Sequence, residues 1–130
     1  MMELEELTHQ IIGLAMKIHR TLGCGFLESV YHQALAFELS QHDIPFETQK
    51  PLDVFYESTR VGTFVTDLII TAPHPLIIEL KAVETLLQAH EAQLVNYLTA
   101  TRIDHGLLLN FGSTKLDYKR KFRHYRPRAS

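Results

Sequence analysis

A single cysteine, Cys24, excludes an intrachain disulfide and any cysteine-rich zinc site in this 130-residue sequence. Long apolar runs are also lacking, since no stretch approaches the roughly 20 residues a membrane span needs. The first ten residues, "MMELEELTHQ", are acidic and have neither the basic nor the apolar region of a secretory leader. The expectation is therefore a cytoplasmic protein with no membrane partner. Internal repeats and low-complexity linkers are missing too. An apolar content of 45% with 22% charged residues is ordinary for a globular chain, and one domain with one core is the simplest reading.

Acids are scarce at the C-terminal end. From Lys115 onward there are seven Lys/Arg and one acid, a local balance of +6, whereas residues 1–114 sum to −8. A basic tail on an acidic body points to a polyanionic partner, although a tail that only aids solubility has the same composition. Lys119, Arg120, Lys121 and Arg123 are the candidate phosphate contacts. The organisation predicted is a body over 1–114 followed by a basic tail or last strand over 115–130.

Hydrophobic spacing supplies the elements. Leu4, Leu7, Ile11, Leu14, Ile18 and Leu22 recur at helical intervals, so residues 4–22 are predicted to be an amphipathic helix that ends at "GCG". A second helix is expected over 26–40, with Leu27, Val30, Tyr31, Ala34 and Leu35 as its apolar stripe. Three extended runs follow: "FETQKPLDVFY", "RVGTFVTDLII" and "PLIIEL". A helix over 84–101 and a short buried strand, "GLLLNF", complete the order ααβββαβ. That order implies an α/β fold with a mixed sheet flanked by helices, the last helix crossing to a parallel fourth strand by the usual right-handed connection.

One place breaks the pattern. The greasy run Leu76–Ile78 continues into Glu79 and Lys81, charges that cannot be buried cheaply without a partner. Side chains two apart on a strand share a face, so Glu79 and Lys81 project together. Asp67, on the preceding run, falls beside Glu79 if the two strands pair. Two adjacent carboxylates repel, and a divalent cation is one way to keep both ionised. With only oxygen donors, that cation is Mg²⁺ or Mn²⁺ rather than zinc. A simple ion pair of Lys81 with Asp67 or Glu79 is the plain alternative.

An Asp followed on the next strand by (Asp/Glu)-x-Lys resembles the signature of the PD-(D/E)XK nuclease superfamily, here Asp67, Glu79 and Lys81, with Thr66 where the signature has proline. "GFLESVY", Gly25 to Tyr31, is similar to the G-x-x-E-x-x-Y motif that names a small family within it, and Gln93 and Tyr97 of "QLVNY" resemble the Q-h-x-x-Y motif of RecB-type nucleases. The resemblance covers nearly the whole chain and implies a restriction-endonuclease-like fold and Mg²⁺- or Mn²⁺-dependent hydrolysis of nucleic acid, DNA ahead of RNA. It implies metal binding by Asp67, Glu79 and Glu28, and catalytic roles for these three with Lys81, Gln93 and Tyr97. A homodimer or a partner protein is compatible with so small a nuclease. A non-catalytic nucleic-acid-binding or assembly module on the same fold is the competing expectation.

Overall fold

In the computed structural model, residues 2–123 are described. Helix α1 spans Leu4–Leu22 and buries Leu7, Ile11, Leu14, Ala15 and Ile18, the stripe expected from its spacing. It stops at Gly23, whose φ of +72° suits glycine and whose N–H donates back to the His19 carbonyl. Helix α2 spans Glu28–Gln41. It buries Tyr31, Leu35, Glu38 and Leu39, but Leu27 and Val30 of the expected stripe face solvent. This helix is apolar on two sides, so spacing alone misassigned part of its core face.

The extended runs divide. The first becomes β1 (Phe46–Thr48) and β2 (Pro51–Tyr56), and the second becomes β3 (Thr59–Val65) and β4 (Leu68–Ile70). The third is β5 (Leu76–Lys81). Helix α3 (Gln88–Thr101) leads to β6 (His105–Asn110), and β7 (Asp117–Phe122) follows. The five-stranded sheet has the order β1-β4-β5-β6-β7, while β2 and β3 form a separate two-stranded sheet. The main sheet thus keeps the expected ααβββαβ sequence through β1, β4, β5, α3 and β6. To it the chain adds the β2–β3 hairpin and an edge strand made from part of the basic tail. Residues 124–130 of that tail lie outside the described residues.

The sheet is mixed. β5 pairs in parallel with β6, as a helical crossover requires, and the other neighbours are antiparallel. Its two faces are covered differently. Leu68, Ile70, Leu76, Ile78, Leu80, Leu107 and Leu109 pack under α1 and α2. Ile69, Ile77 and Leu108 pack with Leu94 and Leu98 of α3 and Phe64 of the hairpin. Burial of β5 on both faces explains why it reads as a continuous apolar run until Glu79.

Candidate active site

Register brings the predicted pair together. Leu68 stands opposite Ile78, Ile69 opposite Ile77 and Ile70 opposite Leu76. One step further along this ladder sets Asp67, just before β4, across from Glu79. The Asp67 Oδ2 accepts the Leu80 backbone N–H at 2.8 Å, which fixes the carboxylate against β5. Its backbone carbonyl accepts the Gln49 N–H at 3.2 Å and lies 2.9 Å from His32 Nε2. The residue is therefore held from β5, α2 and the turn between β1 and β2, although it belongs to no strand.

Glu79 shows the consequence of this placement. Burial first, then the charge of Asp67 and its carboxyl as a hydrogen-bond partner, push the Glu79 pKa up to about 8, against weaker opposing pulls from a backbone hydrogen bond at Asp67 and from the Lys81 charge. Its Oε1 is buried without a hydrogen-bond partner. Glu28, at the start of α2, is also raised, by partial burial and then by Asp67; Lys81, His32 and His90 act in the opposite direction. Glu28, Ser29, His32, Gln49, Asp67 and Leu80 line one cavity of about 200 Å³. Glu28 thus shares a cavity with Asp67, although neither Glu79 nor Lys81 is among the residues that line it.

Lys81 is half-buried and forms no ion pair within 4 Å among the described residues, yet its charge is felt at both Glu79 and Glu28. The direct lysine–carboxylate bridge, the plain alternative from sequence, is not made. The backbone around Lys81 is fixed firmly. Its carbonyl accepts the Phe111 N–H at 2.9 Å. Just beyond it, the buried Asn110 amide accepts from Val83 N at 3.0 Å and donates to Val83 O at 2.9 Å. Gly112 passes so close that an added Cβ would lie 2.3 Å from Val83 N. Sequence reasoning missed Asn110, Gly112, His32 and Gln49. The one available signal was an asparagine ending the leucine run of "GLLLNFG".

The remaining candidates are more dispersed. Tyr97 stacks on Phe64 at 3.8 Å between ring centroids and anchors α3 to the hairpin. Gln93 is exposed on α3. No hydrogen bond among the described residues ties either to the carboxylates. Tyr31 is fully buried, stacks on Phe111, donates its hydroxyl proton to Gly23 O at 2.6 Å and accepts the Phe26 N–H at 3.2 Å. It acts as a core tyrosine that closes the α1–α2 turn.

The basic residues of β7 alternate between faces. Lys121 pairs with Glu91 of α3 at 2.6 Å, and Arg123 pairs with Asp104 at 2.6 Å. Arg120 lines a different cavity, with Leu4, Thr8 and Phe122. Lys119 is exposed and reaches Glu91 only through its charge. The four expected phosphate contacts therefore do not form one free basic strip.

A mixed sheet flanked by helices, with Asp67 just before β4 and Glu79 and Lys81 on the neighbouring β5, defines a restriction-endonuclease-like α/β protein. The sequence profile of the PD-(D/E)XK nuclease superfamily matches residues 5–121, and the chain belongs to that superfamily. The crystal structure of SSO0001 shares the fold, with a TM-score of 0.60 and 18% identity over 75% of this chain and 52% of that one. The chain spans about half the length of that protein, and the likeness concerns the fold alone. No curated protein matches the chain. Among the described residues, no helix is long and apolar enough to cross a membrane.

The residues fit a hard divalent cation, and Glu79 is the reason. A buried carboxyl oxygen with no partner among the described residues, beside a second carboxyl that resists its ionisation, is the kind of pair a positive charge would complete. The described residues contain no ready cage of three or more His, Cys, Asp or Glu. Mg²⁺ does not require one, because it is commonly held by one or two carboxylates together with waters and substrate phosphate.

Proposed function

We propose that this protein is a divalent-metal-dependent nuclease that hydrolyses phosphodiester bonds at the Asp67–Glu79 pair. The buried, unpartnered oxygen of Glu79 beside Asp67 carries the reading. Asp67 and Glu79 hold the cation, with Glu28 contributing from the cavity rim. When bound, Mg²⁺ or Mn²⁺ supplies charge neutralisation at the phosphate and a more acidic water. Lys81, two residues from Glu79 on the same strand face, orients the attacking water and offsets negative charge growing at phosphorus. Asn110 and Gly112 hold the segment that follows the lysine, so the ammonium approaches from a fixed backbone.

The Gly25, Glu28 and Tyr31 pattern supports the narrower G-x-x-E-x-x-Y family. Gln93 and Tyr97 remain candidates for substrate contact from α3, and Lys119 and Arg120 for phosphate contact from β7. DNA is the favoured substrate.

Cleavage of single- and double-stranded DNA and RNA with Mg²⁺ or Mn²⁺, measured beside Asp67→Asn, tests the reading. The parent should cleave at least one of them and Asp67→Asn should not. A parent inactive on all four substrates with either metal contradicts the reading and leaves a binding module on the same fold.

A further inference from the structure

Asp67 sits where the chain passes from one sheet to the other. β3 ends at Val65 in the hairpin, and β4 begins at Leu68 in the main sheet. Between them Asp67 takes no part in a strand ladder, so its place depends on individual hydrogen bonds. The Leu80 N–H holds its carboxylate at 2.8 Å. Its carbonyl meets two groups, the Gln49 N–H at 3.2 Å and the His32 ring at 2.9 Å. A carbonyl only accepts, so Nε2 of His32 carries the hydrogen. Gln49 is a weak anchor, since it belongs to a turn and stands at φ +51° without being a glycine. His32 belongs to a packed helix. Tyr31, Leu35 and Leu39 of α2 are fully buried in one core with Leu68 and Leu80.

His32 and Glu28 are four residues apart on α2 and share a face. Both line the cavity that also contains Asp67 and Gln49. The charge of His32 acts on Glu28 as well. One helix thus brings a carboxyl to the cavity and a hydrogen bond to the residue that brings the other.

We infer that His32 is a positioning residue for the metal site: its bond to the Asp67 carbonyl fixes that residue against α2, so that Asp67 and Glu28 meet one cation in a set arrangement. The inference rests on the nuclease reading above, which assigns Asp67 to a cation. A merely structural role has a different signature. Without His32 the Asp67 carbonyl keeps the Gln49 donor, no buried polar group is orphaned, and the fold should hold. What is lost is the alignment of a ligand, and the partners that orient ligands typically contribute about 10- to 100-fold in metal affinity.

The test compares His32→Leu, which fills the space without a donor, with His32→Gln, whose amide offers an N–H at similar reach. In calorimetric titrations His32→Leu should bind Mn²⁺ about 10- to 100-fold more weakly than the parent, and His32→Gln should recover to within about threefold. In the metal-free proteins, hydrogen exchange at the Leu80 amide should be faster in His32→Leu than in the parent or His32→Gln, because the carboxylate it donates to is no longer held. The three melting temperatures should agree within about 5 °C, the effect of roughly one neutral hydrogen bond.

Equal Mn²⁺ affinity in His32→Leu and the parent overturns the inference. So does a loss that His32→Gln shares in full, since the donated hydrogen would then not be what matters. A weaker affinity that comes with a large fall in melting temperature also overturns it, in favour of a structural role. A parent that binds no Mn²⁺ contradicts the cation site itself, and the positioning role falls with it.

Discussion

The acidic pocket and the basic strand treat charge in opposite ways. At β4 and β5, Asp67 and Glu79 are brought together partly buried, and no cation among the described residues bridges them. On β7 and just after it, Lys121 and Arg123 each meet a carboxylate at 2.6 Å, from Glu91 and Asp104. Paired surface charges contribute little either way, whereas a buried carboxyl beside a second one is costly to ionise, and Glu79 keeps its proton to about pH 8 unless a cation from outside the chain completes the pair. This contrast is why the proposed function is placed at the pocket. The basic segment is neutralised in place at Lys121 and Arg123 among the described residues, while the pocket leaves a buried carboxyl oxygen of Glu79 without a partner among them.

After the abolition of cleavage expected of Asp67→Asn, Lys81 should give the greatest change on substitution. It forms no ion pair among the described residues, so its removal should leave the fold and cation binding nearly intact. A group that acts mainly on charge developing in the transition state reduces rate more than affinity. Lys81→Ala should cleave roughly 100- to 1,000-fold more slowly while binding substrate within a few-fold of the parent. Single-turnover kinetics would separate the two, and a loss confined to binding would make Lys81 a phosphate anchor instead.

The next effect is on stability and pH. In the metal-free protein the Glu79 pKa stands at about 8, against 4.5 for the ordinary carboxyl. Folding therefore takes up a proton between these values. The stabilisation is complete below the lower one and is lost as pH rises through the upper one. The Tm of the metal-free protein should fall between about pH 5 and about pH 9, and Glu79→Gln, which cannot ionise, should flatten that fall. Equal slopes in parent and variant would mean that the carboxyls are not coupled as described.

How far this was legible in sequence depends on the residue. Asp67, Glu79 and Lys81 could be placed together because strand periodicity is strict and charges ending a greasy run demand a reason. The β5–α3–β6 crossover followed from spacing as well. The division of the two long runs did not, since Gln49 turns the chain at φ +51° without a glycine to mark it. Pro51, at the start of β2, was the only nearby warning. β7 was only half legible: the expectation left a basic tail or a last strand open, because "DYKRKF" also suits a solvated end, yet lysines are common on an edge strand, where they discourage pairing with other chains. The role of Tyr97 depended on Phe64, far back along the chain, and no local pattern records a stack of that kind.

A smaller change should separate the two halves of β7. Lys119 and Arg120 lack close acidic partners among the described residues, whereas Lys121 and Arg123 have them. Lys119→Gln/Arg120→Gln should weaken nucleic-acid binding by less than about tenfold and lower the salt slope by about one for each phosphate no longer neutralised. Lys121→Gln/Arg123→Gln should change both less. The reverse order would show that the ion pairs open on binding.

The cation site itself is best probed by calorimetric titration with Mn²⁺ near neutral pH, in two buffers of different ionisation enthalpy. The parent should bind Mn²⁺ and release a proton as it does so, because Glu79 must ionise to act as a ligand. Asp67→Ala should bind no Mn²⁺ at the same concentrations. Proton-free binding in the parent, or undiminished binding in Asp67→Ala, would contradict a cation site at the Asp67–Glu79 pair.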